Sequence, residues 1–255
     1  MKPDGTRLVA LGASNLTLGL HTAVATARAT FGPDVEVMAA LGYGRSYGAD
    51  SAIAFRRLPG ILSCDLWRDL ERLPKRRTRA LITDVGNDIL YGFSADRILS
   101  WVEEAADRLL THTSDLTITG LPLWSIGRLK PATFRFFRTL FFPPCRLSRE
   151  AVVSVAEAVD AGLARLARER SARLVRPDPA WYALDPIHLR PRVWRSAWRE
   201  ILKGDSEAVP AAAFSPAEWA GLHLLPPDRR WLAGIERRHE QAGRRLSRGG
   251  IVRLY

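Results

Sequence analysis

Residues 6–15 read TRLVALGASN, and their order of residue types sets the architecture. Thr6–Leu11 is a short apolar run closed by Gly12, the pattern of a strand buried on both faces. Beyond the small polar residues, Leu20, Val24, Ala27 and Phe31 recur at spacings of four, three and four, the period of an amphipathic helix. Strand, glycine turn, helix is the first half of a βαβ unit. The rhythm repeats at 35–41 (VEVMAAL), 80–85 (ALITDV), 116–121 and 174–175, with helical stretches between. One spans about 62–73. Another is capped by Ser94, with Ile98, Val102, Ala105 and Leu109 on one face; a third is capped by Ser148, with Val152, Val155, Val159, Leu163 and Leu166 inward. Pro191 suits the first position of a last helix running to Leu202. Five strands joined by right-handed crossovers predict an α/β fold, a three-layer α/β/α sandwich around a five-stranded parallel sheet. Residues 204–255 break the rhythm with Pro210, Pro216, Pro226 and Pro227 and with Trp219 and Trp231. They read as a C-terminal basic extension to a catalytic domain of 1–203.

The chain has 255 residues, 47% of them hydrophobic, enough to bury a core without staples. Two distant cysteines, Cys64 and Cys145, form neither a disulfide framework nor a metal-binding pattern. No run of about 18 apolar residues is present, so no membrane-spanning helix is expected. The N-terminal stretch has no signal-peptide core, which points to a cytoplasmic protein. Cations outnumber acids, 38 to 27, for a formal net charge of +11. All but Lys2, Lys75, Lys130 and Lys203 are arginines spread along the chain, the mark of a compositional bias. A nucleic-acid reader concentrates cations on one face with a recognisable motif, so no nucleic-acid partner is expected. The local exception is 120–149, which holds six cations and no acid, together with FRFFR at 134–138 and FFPP at 141–144.

Ligands of open parallel sheets bind beyond the carboxyl ends of the strands. After strand one come Gly12, Ala13, Ser14 and Asn15. After strand two come Gly42, Gly44, Arg45 and Ser46; after strand three, Gly86, Asn87 and Asp88. After strand five, before the last helix, come Asp185, Pro186, Ile187 and His188. A hydroxyl, a close-approach backbone, an amide donor and an acid–histidine pair thus fall on one rim. Each also has a plainer use. Ser14 suits a helix cap, Gly44 and Asn87 suit turns, and a lone D-x-x-H occurs in many loops. Their convergence points to chemistry. His21, His112, His223 and His239 lack partners at useful spacing. The glycines at 42, 44 and 48 have neither the spacing nor the position of a dinucleotide loop, and no phosphate loop, H-E-x-x-H or G-x-S-x-G elbow occurs.

Taken together, these blocks resemble the SGNH/GDSL hydrolases across roughly residues 6–203. Gly12-Ala13-Ser14-Asn15-Leu16 is similar to the first block, with Ala13 where Asp is usual. Gly44-Arg45-Ser46 is similar to the second, in a version found in carbohydrate acetylesterases of the family. Gly86-Asn87-Asp88 is similar to the third, with its glycine one place late; Asp185-x-x-His188 matches the fifth. The resemblance implies a flavodoxin-like SGNH fold and a serine esterase that needs no organic cofactor and no metal. It implies Ser14 as nucleophile, His188 as general base and Asp185 as its orienting carboxylate. The Ser14 and Gly44 N–H groups and the Asn87 side-chain amide would form the oxyanion hole. The implied substrate is an O-acyl ester, O-acetyl included, of a small molecule, carbohydrate or lipid. An O-acyltransferase using the same site and a non-catalytic binding module of the same fold are the alternatives. For 128–149, peripheral contact with a membrane or anionic surface stands against an aromatic plug packed beneath 204–255, and the plug is favoured.

Overall fold

The computed structural model describes residues 5–53, 55–203 and 214–255. The chain opens with β1 (Thr6–Leu11), α1 (Ser14–Leu18), α2 (Leu20–Phe31) and β2 (Glu36–Ala40). It continues through β3 (Ser51–Ile53), β4 (Arg56–Leu58), α3 (Leu66–Arg72) and β5 (Arg77–Ile82). Then come α4 (Asn87–Leu90), α5 (Ala95–Leu110), β6 (Leu116–Thr119), α6 (Leu123–Gly127), α7 (Pro131–Phe141), α8 (Arg149–Glu169) and β7 (Arg173–Val175). A 3-10 turn at Pro191–Val193 leads into α9 (Trp194–Leu202). The chain closes with α10 (Pro216–His223), β8 (Arg229–Leu232), β9 (Ile235–Arg238), β10 (Arg244–Arg245) and β11 (Ile251–Leu254).

β1 is central because both of its faces are apolar. It pairs in parallel with β2 through Arg7↔Glu36 to Leu11↔Ala40 and with β5 through Thr6↔Arg77 to Leu11↔Ile82. Alternate residues enter different cores. Val9 and Leu11 pack with Met38, Ala80 and Ile82 beneath α5 and α8. Leu8 and Ala10 pack with Val37, Ala39 and Leu81 beneath α2 and α9. Ser94 and Ser148 cap their helices, accepting from Arg97 N at 3.3 Å and Ala151 N at 3.1 Å.

The three-layer sandwich stands, but the strand count changes. The main sheet has seven strands, in the order β10-β11-β2-β1-β5-β6-β7, instead of five. The additional two come from the C-terminal segment. β11 runs parallel to β2, Ile251↔Glu36 through Leu254↔Ala39, and β10 adds antiparallel to it. Val252, Leu254 and Tyr255 are buried. Neither strand is legible as a continuation of the βαβ rhythm, because β10 and β11 follow α10 and the antiparallel β8–β9 pair instead of a single crossover helix from β7. A second, four-stranded antiparallel sheet, β3-β4-β8-β9, joins the early chain to the late chain. The boundary expected after 203 falls against 204–213, which lie outside the described residues.

Leu254 tests how far the last strand belongs to the core. Leu254→Ala should lower the unfolding free energy by about 2–5 kcal/mol, the cost of a core cavity, measured by urea denaturation. A change under about 1 kcal/mol would place β11 outside the cooperative unit.

Candidate active site

Gly12 continues the ladder, its N–H donating to Ala40 O at 2.9 Å. A Cβ there would stand 2.7 Å from the Thr83 methyl, so only glycine allows the turn this close to β5. α1 begins two residues later, and its N-cap, Ala13, has no capping side chain. The cap comes from a distant residue instead. Asp84, just past β5, has φ +59°, a conformation that Asp tolerates better than most residues. Its Oδ2 accepts from Ala13 N at 2.9 Å and from Leu16 N at 3.1 Å, groups that the start of a helix leaves without partners. Its Oδ1 accepts from Asn15 Nδ2 at 2.9 Å. Ser14 sits inside this turn, buried to 7% exposure.

Asn15 carries the connection onward. Its Nδ2 also donates to Ile187 O at 2.9 Å, and its Oδ1 accepts from Leu189 N at 2.8 Å. One amide therefore grips the chain on both sides of His188 and ties that loop to the residue after Ser14. Within the loop, Asp185 Oδ1 accepts from the Ile187 and His188 N–H groups at 3.0 and 3.1 Å, and Oδ2 meets His188 Nδ1 at 2.7 Å. Burial works against the Asp185 charge, but the bond and charge of His188 and the two N–H donors outweigh it. They hold the carboxyl below its usual range. Phe141 meets the imidazole edge-on, with centroids 5.1 Å apart. Among the described residues, Ser14 and His188 share no hydrogen bond; such contacts commonly tighten only when substrate binds.

Gly44 and Asn87 come from the two neighbouring strand ends. Gly44 has φ +61°, and a Cβ there would fall 2.6 Å from Ile53 of β3. Its carbonyl accepts from the Tyr91 hydroxyl at 2.6 Å. The Asn87 amide makes only a long contact, 3.5 Å, to Arg45 O. Among the described residues, the Ser14 and Gly44 N–H groups have no hydrogen-bond partner.

Beneath this loop lies a buried polar layer. Arg45 is fully buried and donates to Pro59 O at 3.1 Å, Leu41 O at 3.0 Å and Tyr255 O. Asp88 is fully buried and accepts from Tyr47 N at 2.9 Å. Burial raises its pKa to about 6, against the pull of Ser46 and of that N–H. The Tyr47 hydroxyl lies 2.7 Å from Thr83 O and 3.1 Å from Leu11 O. The second block is thereby pinned to the ends of β1 and β5 and, through Arg45, to the C-terminal strand.

A cavity of about 110 Å³ opens beside Ser14, Asn15 and Asn87, and Pro186 and Ile187 reach it from the histidine loop. Phe134, Phe137 and Phe141 of α7 form one wall and Trp181 another. Gly44, Asp185 and His188 stand outside its lining. The aromatic stretch expected beneath 204–255 therefore forms a helix that walls this cavity, and α7 packs on α8. The expected Ser14, Asn87, Asp185 and His188 are gathered at one end of the sheet, with the Gly44 loop beside them. Sequence reasoning missed Asp84 and the structural part of Asn15. The only signal was a carboxylate two residues beyond the end of a buried strand.

No family model matches the sequence, and no curated protein does. Solved structures do match. A member of the lipolytic protein G-D-S-L family from Veillonella parvula superposes with a TM-score of 0.50 at 11% identity. That match covers 80% of this chain and 100% of the other. The chain has the SGNH hydrolase fold. A further solved structure reaches a TM-score of 0.53 at 15% identity over 78% of this chain and 99% of its own. Weaker matches are the psychrotrophic esterase EstA from a Pseudoalteromonas species and TesA. Their TM-scores are 0.46 and 0.47 and their identities 13% and 16%. EstA covers 78% of this chain and 94% of its own, TesA 76% and 95%.

Two outcomes follow from this geometry. Asp84→Ala strands three donors at the turn and should cost about 2–3 kcal/mol in urea denaturation, whereas a loss within error would mean that solvent replaces the carboxylate. Asp88 acts in the opposite sense to a salt-bridged carboxylate. Its folded pKa, about 6, lies above the unfolded value of 3.8, so its contribution is most favourable below pH 4 and is lost as pH rises through 6. Relative to Asp88→Asn, the wild type should lose up to ~3 kcal/mol between pH 4 and 7 and then level off. Parallel stability curves for the two proteins would contradict this.

Proposed function

We propose that the protein is a serine hydrolase that cleaves an O-acyl ester through an acyl-enzyme. The observation that carries the reading is the Asn15 grip, which ties the imidazole held by Asp185 to the residue following Ser14. Burial and an ordered polar partner give His188 a defined orientation, with Nδ1 toward Asp185 and Nε2 left for the nucleophile.

In this reading Ser14 Oγ attacks the ester carbonyl and His188 Nε2 takes its proton. Asp185 stabilises the imidazolium that results, without itself being protonated. The carbonyl oxygen becomes an anion and is met by the free Ser14 and Gly44 N–H groups and by the loosely held Asn87 amide. His188 then protonates the leaving alcohol. Water, deprotonated by the same imidazole, releases the acid and restores Ser14. The cavity beside Ser14 is lined mainly by carbon, which suits an apolar acyl group better than a charged one. No step in this scheme calls on a metal or an organic cofactor.

Ser14→Ala should abolish hydrolysis of p-nitrophenyl esters and labelling by a serine-directed phosphonate; normal turnover in that variant would end the assignment. Asn87→Ala should lower kcat by about 10²–10³ while changing KM little, as expected for a donor that engages only the transition state. Across a panel of graded acyl length, kcat/KM should rise beyond acetyl, and Phe137→Trp should shift the optimum to shorter chains. A flat or falling profile in the wild type would show that the cavity does not hold the acyl group.

A further inference from the structure

The sheet β3-β4-β8-β9 meets the glycine loop of the site through Ile53, which lies against Gly44, and Leu58, which lies against Gly42, and its composition is strongly basic. Its strands hold Arg56, Arg57, Arg229, Arg230, Arg237 and Arg238 and a single acid, Glu236. Arg229 lies directly opposite Arg238, and Arg230 opposite Arg237. Like charges facing each other across a ladder are destabilising, and here two such pairs occupy one hairpin of four-residue strands. Glu236 bonds Arg238 at 3.0 Å, and Asp50 stands 3.7 Å from Arg57, so local acids offset only part of this charge. On one face Trp231 has Arg57 at 4.4 Å and Arg229 at 5.5 Å from its ring centroid.

At the end of the sheet two turns meet, where the Ala233 N–H donates to Phe55 O at 2.9 Å. Phe55 is 75% exposed and Ile235 58% exposed. Tyr43, also exposed, lies beneath the Arg56 guanidinium. Paired apolar tips backed by arginines and edged by Trp and Tyr are the side chains that partition into a bilayer interface. Anionic headgroups would relieve the cross-strand repulsion, and the apolar tips would enter the acyl boundary. A polyanion in water would meet the arginines but gain nothing from Phe55 and Ile235.

We propose that this end of the sheet, with Phe55 and Ile235 at its tips and the arginines of β4, β8 and β9 on both faces behind them, docks the protein on an anionic lipid bilayer. Ile53 packs against Gly44, so docking would set the crevice next to the membrane surface. The contact is peripheral: among the described residues no helix is long and apolar enough to cross a membrane.

Flotation with phosphatidylglycerol and with phosphatidylcholine vesicles tests the proposal on the full chain. The wild type should bind phosphatidylglycerol vesicles at least tenfold better, and added salt should weaken the binding. Arg237→Glu with Arg238→Glu should reduce it tenfold or more, since each arginine near the surface is worth roughly fivefold. Phe55→Ser with Ile235→Ser should also reduce it while leaving its salt dependence in place. Circular dichroism and turnover of a short soluble ester check folding separately. If the arginine variant misfolds, the Phe55/Ile235 pair, both exposed, still decides. Equal binding to both lipids would overturn the proposal, as would wild-type binding in both variants. So would binding to heparin without binding to vesicles, or loss of binding on Phe136→Ser with Leu140→Ser while the sheet variants keep it.

Discussion

The Asp84 carboxylate does three jobs at one turn. It caps α1 in place of the missing side chain at Ala13, it fixes the Asn15 amide, and through that amide it bears on the chain at 187–189. An ionised acceptor bonding two backbone N–H groups and an amide is stronger than the same bonds to a neutral oxygen. The first block of the SGNH pattern has an acid where this chain has Ala13. Here a carboxylate reaches the Ala13 N–H from the end of the neighbouring strand, 71 residues away in sequence. Among the described residues the Ser14 N–H has no hydrogen-bond partner, and Ser14 lines the cavity together with Asn87.

The second constraint is the burial of charge under the Gly44 loop. Arg45 and Asp88 are both fully buried, and they are not paired with each other. Arg45 spends its donors on three backbone carbonyls, and Asp88 accepts a backbone N–H. Main-chain groups meet these side chains only in part: among the described residues, Arg45 Nη2 and Asp88 Oδ1 are buried without a partner, so the bonds that are made carry the cost of burying both groups and hold the loop in register. This links the C-terminal strand to the candidate oxyanion loop: the Tyr255 oxygen receives the Arg45 guanidinium, and the Tyr255 hydroxyl donates to Asp69 at 3.0 Å. The segment that breaks the sequence rhythm thus completes the support of the site.

The helix α7 shows how one element serves two environments. Phe134 is buried and Phe137 and Phe141 wall the cavity, while Phe136 and Leu140 are exposed. Half-buried Arg138 lies over the Phe134 ring, 6.0 Å from its centroid, and donates to Leu147 O at 2.8 Å. The cavity is therefore bounded by a surface helix on one side and by the parallel sheet on the other. Beyond Gly44, the arginine-bearing antiparallel sheet borders the same rim.

What the sequence alone determined was the local grammar. Apolar runs closed by glycine, helical spacing after them and capping serines located β1, β2, β5, β6, the short β7 and the main helices, because each signal lies within a dozen residues. It also placed Ser14, Gly44, Asn87, Asp185 and His188 at the ends of those strands, since a parallel sheet brings all such ends together. The tertiary structure decided what no short window encodes. β11 adds to the sheet edge by pairing with β2 some 200 residues earlier, and nothing in the four residues of β11 names that partner. The Asp84–Asn15 connection spans 69 residues and the Asn15–Ile187 connection 172. A lone Asp after a strand looks like any turn residue until folding brings the two unpaired N–H groups within its reach. Periodicity reports which face of an element is buried; only packing reports what it is buried against.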